Sequence, residues 1–119
     1  MVKQAKDKND VDELFKIYFS CIKGRYFSEA LKAFEIYDGY GHECVCCSLA
    51  STYQSWEEGY FGETGVKISI DYPAVSTDTI AIVTNEEFYK YIAEESKKYP
   101  DLSMEINKAL EGIRKRLNL

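Results

Sequence analysis

The chain has 119 residues, of which 45% are apolar and 29% charged, and its formal net charge is −5. That length suits one domain with a core large enough to fold without metal or disulfide help, and the composition excludes a disordered chain. No apolar run approaches the roughly 18 residues of a membrane span, and the polar start from Met1 to Asp12 lacks the apolar stretch of a secretory signal. These features predict a cytoplasmic chain, monomeric before it meets a partner, with no membrane contact.

Residues 1–9 read as a frayed polar arm. From Asp10, Val11, Leu14, Phe15, Tyr18, Cys21 and Ile22 recur at three- and four-residue spacing, which predicts an amphipathic helix ending at Gly24. A second helix carries Phe27, Ala30, Leu31, Phe34 and Tyr37 in one stripe and stops at Asp38-Gly39-Tyr40-Gly41. Joined so closely, the two helices should form an antiparallel pair. Cys44 to Leu49 suits a buried strand or an irregular core segment, Ser51 to Glu58 a short helix, and Gly59 to Gly65 a loop. Val66 to Tyr72 alternates apolar and polar residues, and Thr79 to Val83 is a second β-branched run; across Pro73–Asp78 they predict an antiparallel hairpin.

Thr84 is placed to cap the next helix, with Glu87 reaching back to it. That helix should run through Phe88, Tyr91 and Ile92 to Tyr99 and end at Pro100. Asp101 is the expected cap of a last helix whose face is Leu102, Ile106, Ala109, Leu110, Ile113 and Leu117. Its later turns carry Lys108, Arg114, Lys115 and Arg116, where cations suit the helix dipole. The fold class is therefore α+β: two N-terminal helices, a small antiparallel sheet with a central hairpin, and two C-terminal helices, in one domain over residues 1–119.

Little in the chain suits catalysis. Three of the four cysteines, Cys44, Cys46 and Cys47, crowd into four positions; Cys21 stands apart. Bridges among them would close almost no loop, so free thiols in a reducing compartment are the simpler reading. A structural zinc site needs two ligand pairs set well apart, and the His42–Cys47 cluster has no second pair, so no metal is expected. A Cys–His nucleophile would have to use His42, the one histidine. Glu57 and Glu58 are adjacent carboxylates, and neighbours on a helix point apart. There is no phosphate-cradling glycine loop and no nucleophile elbow. We expect no catalytic residue and no cofactor; a small Cys/His enzyme is the alternative from that class.

The charge is unevenly placed. Residues 38–87 hold nine carboxylates against Lys67 alone, for −8, while the flanking segments carry +1 and +2. Such asymmetry argues against a nucleic-acid surface and for a cationic partner; the bland alternative is a solvated acidic face. Tyr53, Trp56, Tyr60, Phe61 and Tyr72 lie among these carboxylates, as aromatic anchors do in binding hot spots. Trp56 and Phe61 read as core residues under the sheet. The candidate partner-binding residues are Tyr53, Glu57, Glu58, Tyr60, Glu63, Asp71 and Tyr72.

Three pieces of sequence together resemble a known family: Trp56-Glu57-Glu58-Gly59-Tyr60-Phe61, then Gly65-Val66 opening a strand, then Glu86-Glu87-Phe88-Tyr89-Lys90-Tyr91-Ile92. Their order and spacing are similar to those of immunity proteins of contact-dependent growth inhibition (CDI), in the branch paired with ribonuclease toxins. The resemblance covers about half the chain, from Trp56 into the last helix; the N-terminal helices match in kind. It implies a cytoplasmic protein that binds a cognate basic toxin nuclease domain, delivered by a neighbouring cell, and covers its active site without catalysis. It carries over no individual interface residue. A generic acidic adaptor for another basic partner fits the charge pattern equally well.

Overall fold

The computed structural model describes residues 2–50 and 53–119. Its elements are β1 (Lys3–Gln4), α1 (Lys8–Cys21), α2 (Arg25–Glu35), β2 (Tyr40–His42), β3 (Val45–Leu49), β4 (Val66–Ile70), β5 (Thr79–Val83), α3 (Asn85–Ser96) and α4 (Ser103–Arg116). The five strands form one sheet in the order β1-β5-β4-β3-β2. β2, β3, β4 and β5 pair antiparallel; β1 runs parallel to β5, so the sheet is mixed.

The strand alternation decides where the core sits. Val45, Cys47 and Leu49 of β3, Val66, Ile68 and Ile70 of β4, and Ala81 and Val83 of β5 all point to one side and are buried. All four helices pack on that side, and their apolar stripes join the strands in a single cluster. Aromatic rings bind the helices together: Phe88 of α3 meets Phe34 of α2 edge-on at 5.1 Å, and Phe27 stacks on Tyr99 at 4.8 Å. Truncating a buried phenylalanine such as Phe88 to alanine costs about 3–5 kcal/mol in comparable cores.

Local signals hold at several points. Gly24 joins α1 to α2 with φ of 66°, a left-handed conformation that glycine adopts freely. Thr84 and Glu87 form the expected capping box, with bonds of 3.1 Å each way.

Other expectations need correction. The first residues are not a frayed arm: Lys3–Gln4 pairs with β5, Ala5 is buried, and the Asp7 carboxylate caps α1 through the Asp10 amide at 2.9 Å. The turn expected at Asp38–Gly41 leads straight into β2, which forms a tight hairpin with β3. α2 packs along α4 rather than along α1. Small residues allow this: Ala30 and Ala109 are buried on the two helices, and a Cβ on Gly112 would lie 3.0 Å from the Glu35 carboxylate. α3 ends at Ser96, and Asp101 lies in a short 3-10 turn over Pro100–Leu102; Leu102 takes the N-cap position of α4, so no side chain caps it. The short helix expected over 51–58 is absent from its described part, 53–58, which is a run of turns; Ser51 and Thr52 lie outside the described residues.

Candidate functional site

Because the four α-helices pack on one side, the other side of the sheet carries no α-helix among the described residues. Its residues are Cys46 and Ser48 of β3, Lys67 and Ser69 of β4, and Ile80 and Ile82 of β5. The loop between β3 and β4 folds over part of this face. Lys67, half-buried, holds it: the ammonium lies 4.6 Å from the Tyr53 ring centre and 5.5 Å from that of Phe61, and donates to the Gly59 carbonyl at 3.4 Å. The two rings meet edge-on at 6.2 Å. A cation enclosed by aromatic faces and a carbonyl loses water but keeps favourable electrostatics. Gly59 is where the loop closes on itself, since a Cβ there would fall 2.4 Å from the Tyr53 ring.

Between Tyr53 and Gly59 the chain forms a raised tip. The Gln54 amide donates to the Glu57 carboxylate at 3.0 Å, and the Glu57 amide to the Gln54 carbonyl at 3.0 Å. At its summit Trp56 is 80% exposed. The expectation that Trp56 lies in the core is thus overturned, and Phe61 is only half-buried, against Tyr53 of the same loop and Lys67 of β4. Burying either ring would require the loop to enter the helical side of the sheet, which is already filled.

The structure brings five of the seven candidate residues together. Tyr53, Glu57, Glu58, Tyr60 and Glu63 belong to this one loop, with the two tyrosines half-buried and the three carboxylates exposed. Asp71 and Tyr72 follow the far end of β4, roughly 16 Å away for a five-residue strand at about 3.3 Å per residue. There the Asp71 amide donates to the Cys44 carbonyl at 2.8 Å, and the Tyr72 amide to the Asp78 carboxylate at 2.8 Å. Tyr72 is 70% exposed.

The carboxylates of the acidic middle divide by what they touch. Asp38, Glu57, Asp78 and Glu87 each accept a nearby backbone amide, Glu86 pairs with Lys90 at 3.5 Å, and Glu43 lies 4.0 Å from His42. Glu58, Glu63 and Asp71 have no hydrogen bond or ion pair through their side chains among the described residues. Sequence reasoning missed Trp56 as a surface residue and Lys67 as the piece that holds the loop. The alternation of β4 does place Lys67 opposite the core, a signal that could have found it.

Of the four cysteines, Cys47 alone is fully buried, Cys46 is exposed, and Cys21 and Cys44 are half-buried. Cys47 faces the core, and burial pushes its thiol well above the ordinary range. Cys46, its neighbour on the strand, points to the other face, with its sulfur 3.8 Å from the Ser48 hydroxyl. His42 stacks on Tyr26 at 4.4 Å and touches no thiol among the described residues. Nor do three or more His, Cys, Asp or Glu side chains come together to hold a metal among the described residues. A larger concavity, of about 570 Å³, lies elsewhere, between α1 and α3, lined by Lys6, Lys8, Asp12, Glu87, Lys90 and Tyr91. Its charges are largely matched: Lys8 pairs with Asp12 at 3.5 Å, Lys90 with Glu86, and the Tyr91 hydroxyl donates to Asp12. We assign it no chemistry.

No helix among the described residues is long and apolar enough to cross a membrane. Fold and site together define an α+β protein with one helix-covered and one open sheet face, whose open side displays an exposed indole and unpaired carboxylates. The family model described as CDI immunity protein matches residues 11–112, and the chain belongs to that family. The match takes in α1 and α2, where the sequence resemblance held only in kind. Comparison with curated proteins and with solved structures returns no match. Membership gives the chain a role in immunity to a CDI toxin, exercised by binding a cognate toxin protein.

Proposed function

We propose that the protein neutralises a cationic ribonuclease toxin domain in the cytoplasm of the target cell, by laying the helix-free, acidic side of its sheet over the RNA-binding active site. One observation carries this reading. Glu58, Glu63 and Asp71 are unpaired among the described residues, while Lys67, the one cation of residues 38–87, is turned under the loop. The surface therefore offers carboxylates that no cation among the described residues pairs with. A ribonuclease cleft is cationic because it holds phosphates, so the same field that attracts RNA steers an acidic protein into its place. Occupying the cleft inhibits without chemistry by this protein.

Titrating the protein into its cognate toxin domain, with RNA cleavage as readout, tests the reading. Cleavage should vanish near one-to-one stoichiometry. Undiminished cleavage at roughly tenfold excess contradicts it.

A further inference from the structure

The tip of the β3–β4 loop has a feature that charge alone does not explain. Trp56 is the single tryptophan of the chain, and it is 80% exposed. A large aromatic side chain held in water forgoes the burial that such residues supply to cores and interfaces. It is also presented rather than loose: Lys67 pins Tyr53, Phe61 and Gly59 at the base, and the Gln54–Glu57 bonds close the turn above. Next to Trp56 in the chain are Glu57, with one carboxylate oxygen engaged by the Gln54 backbone amide, and Glu58, with none engaged among the described residues.

We propose that Trp56 is the anchor of the toxin contact and that it receives an arginine or lysine side chain of the toxin's cationic cleft, with Glu58 beside it. Lys67 is a positioning residue, which fixes the tip before the partner arrives and does not itself touch the partner. This inference rests on the proposed function above and names the group that it engages. The chemistry is complementary at each point: a cation is attracted to an indole face and to a free carboxylate together. Lys67, the one cation of residues 38–87, is already enclosed by Tyr53 and Phe61, so it does not compete for either. Preorganisation matters because ordering a loop on binding subtracts from affinity.

The single tryptophan makes the test direct. In a fluorotryptophan-labelled chain the one fluorine resonance reports Trp56. Adding the cognate toxin domain should shift that resonance and protect the indole from a soluble quencher. Trp56→Ala should keep the melting temperature and raise the dissociation rate on the order of 30-fold, the scale of a hot-spot residue. Lys67→Met should increase the mobility of the fluorine label in the free chain and weaken binding, and Lys67→Arg should restore both. If Lys67→Met fails to fold, Gly59→Ala disturbs the same clamp through the Tyr53 ring. A complex that forms with the resonance unmoved and with Trp56→Ala at full affinity overturns the inference and leaves the proposed function standing. Absence of any complex with the unaltered chain overturns both.

Discussion

Tyr91 joins α1 to α3 in two ways. Its ring stacks on Phe15 at 3.9 Å, and its hydroxyl donates to the Asp12 carboxylate. Burial, then the bond to Asp12, pushes the phenol well above its ordinary range. The same bond, as the leading cause, holds Asp12 below the usual carboxylate value. A carboxylate depressed in the folded state stabilises the protein above its unfolded pKa, and that contribution fades as the pH falls through the folded value. Tyr91→Phe should therefore lower stability by about 1 kcal/mol near neutral pH, at the low end for a bond to a charged group because Asp12 stays half-exposed. Thermal melts down a pH series check this: the gap between variant and parent should narrow in acid. A gap that stays constant to low pH would show that the ring, not the carboxylate bond, carries the effect. Residue identity alone left this pairing illegible, since Asp12 and Tyr91 lie 79 positions apart. Trp56 teaches the same lesson in reverse. Its identity suggests a core position, and only the geometry of a loop closed by Gly59 and Lys67 places it outside.

Among elements, those that declare themselves locally were legible. Thr84 and Glu87 sit at the spacing of a capping box, and the structure forms both bonds. Thr84→Ala should cost about 1 kcal/mol, read as a lower denaturation midpoint with an unchanged slope; an unchanged midpoint would mean that packing of Phe88 and Ile92 fixes the helix start unaided. The β4–β5 hairpin was equally plain, because alternation over Val66–Ile70 has one reading once a single face is buried. What stayed hidden depends on distant partners. β1 is two residues long, with no periodicity, and exists because the β5 edge offers it bonds at the Asp78 and Ile80 carbonyls. β2 contains a glycine and has only three residues, so its turn-like composition outweighed its pairing with β3. Asp101 looked like a cap, but Pro100 begins a 3-10 turn that hands the helix start to Leu102. The α2–α4 contact could be read only from small residues, Ala109 and Gly112, whose meaning appears once Glu35 lies against them.

At the scale of the molecule, sequence located the acidity and structure determined which part of it is free. Six of the nine carboxylates in residues 38–87 are occupied by backbone amides, Lys90 or His42, so the raw −8 overstates the field available to a partner. What remains, Glu58, Glu63 and Asp71, is spread along the sheet from the β3–β4 loop to the far end of β4. The acidity of the candidate region was thus legible, while its free carboxylates and the exposure of Trp56 were not. The basic residues of α4 make an internal control. Arg114 is engaged by Glu111 at 2.7 Å and by the Leu119 carbonyl at 2.6 Å, and the exposed Arg116 donates to the Glu35 carbonyl at 3.0 Å, which leaves Lys108 and Lys115 as the exposed cations to reverse.

The most direct measurement is the association rate with the toxin domain as a function of salt, for two variants: Glu58, Glu63 and Asp71 reversed to lysine, and Lys108 and Lys115 reversed to glutamate. Charges that steer encounter act on this rate and are screened by salt. The central reversal should slow association on the order of tenfold at low salt and flatten its salt dependence, while the α4 reversal should leave both nearly unchanged. Slow association after the α4 reversal, with the central reversal at the parental rate, would contradict the claim that the helix-free acidic side meets the toxin.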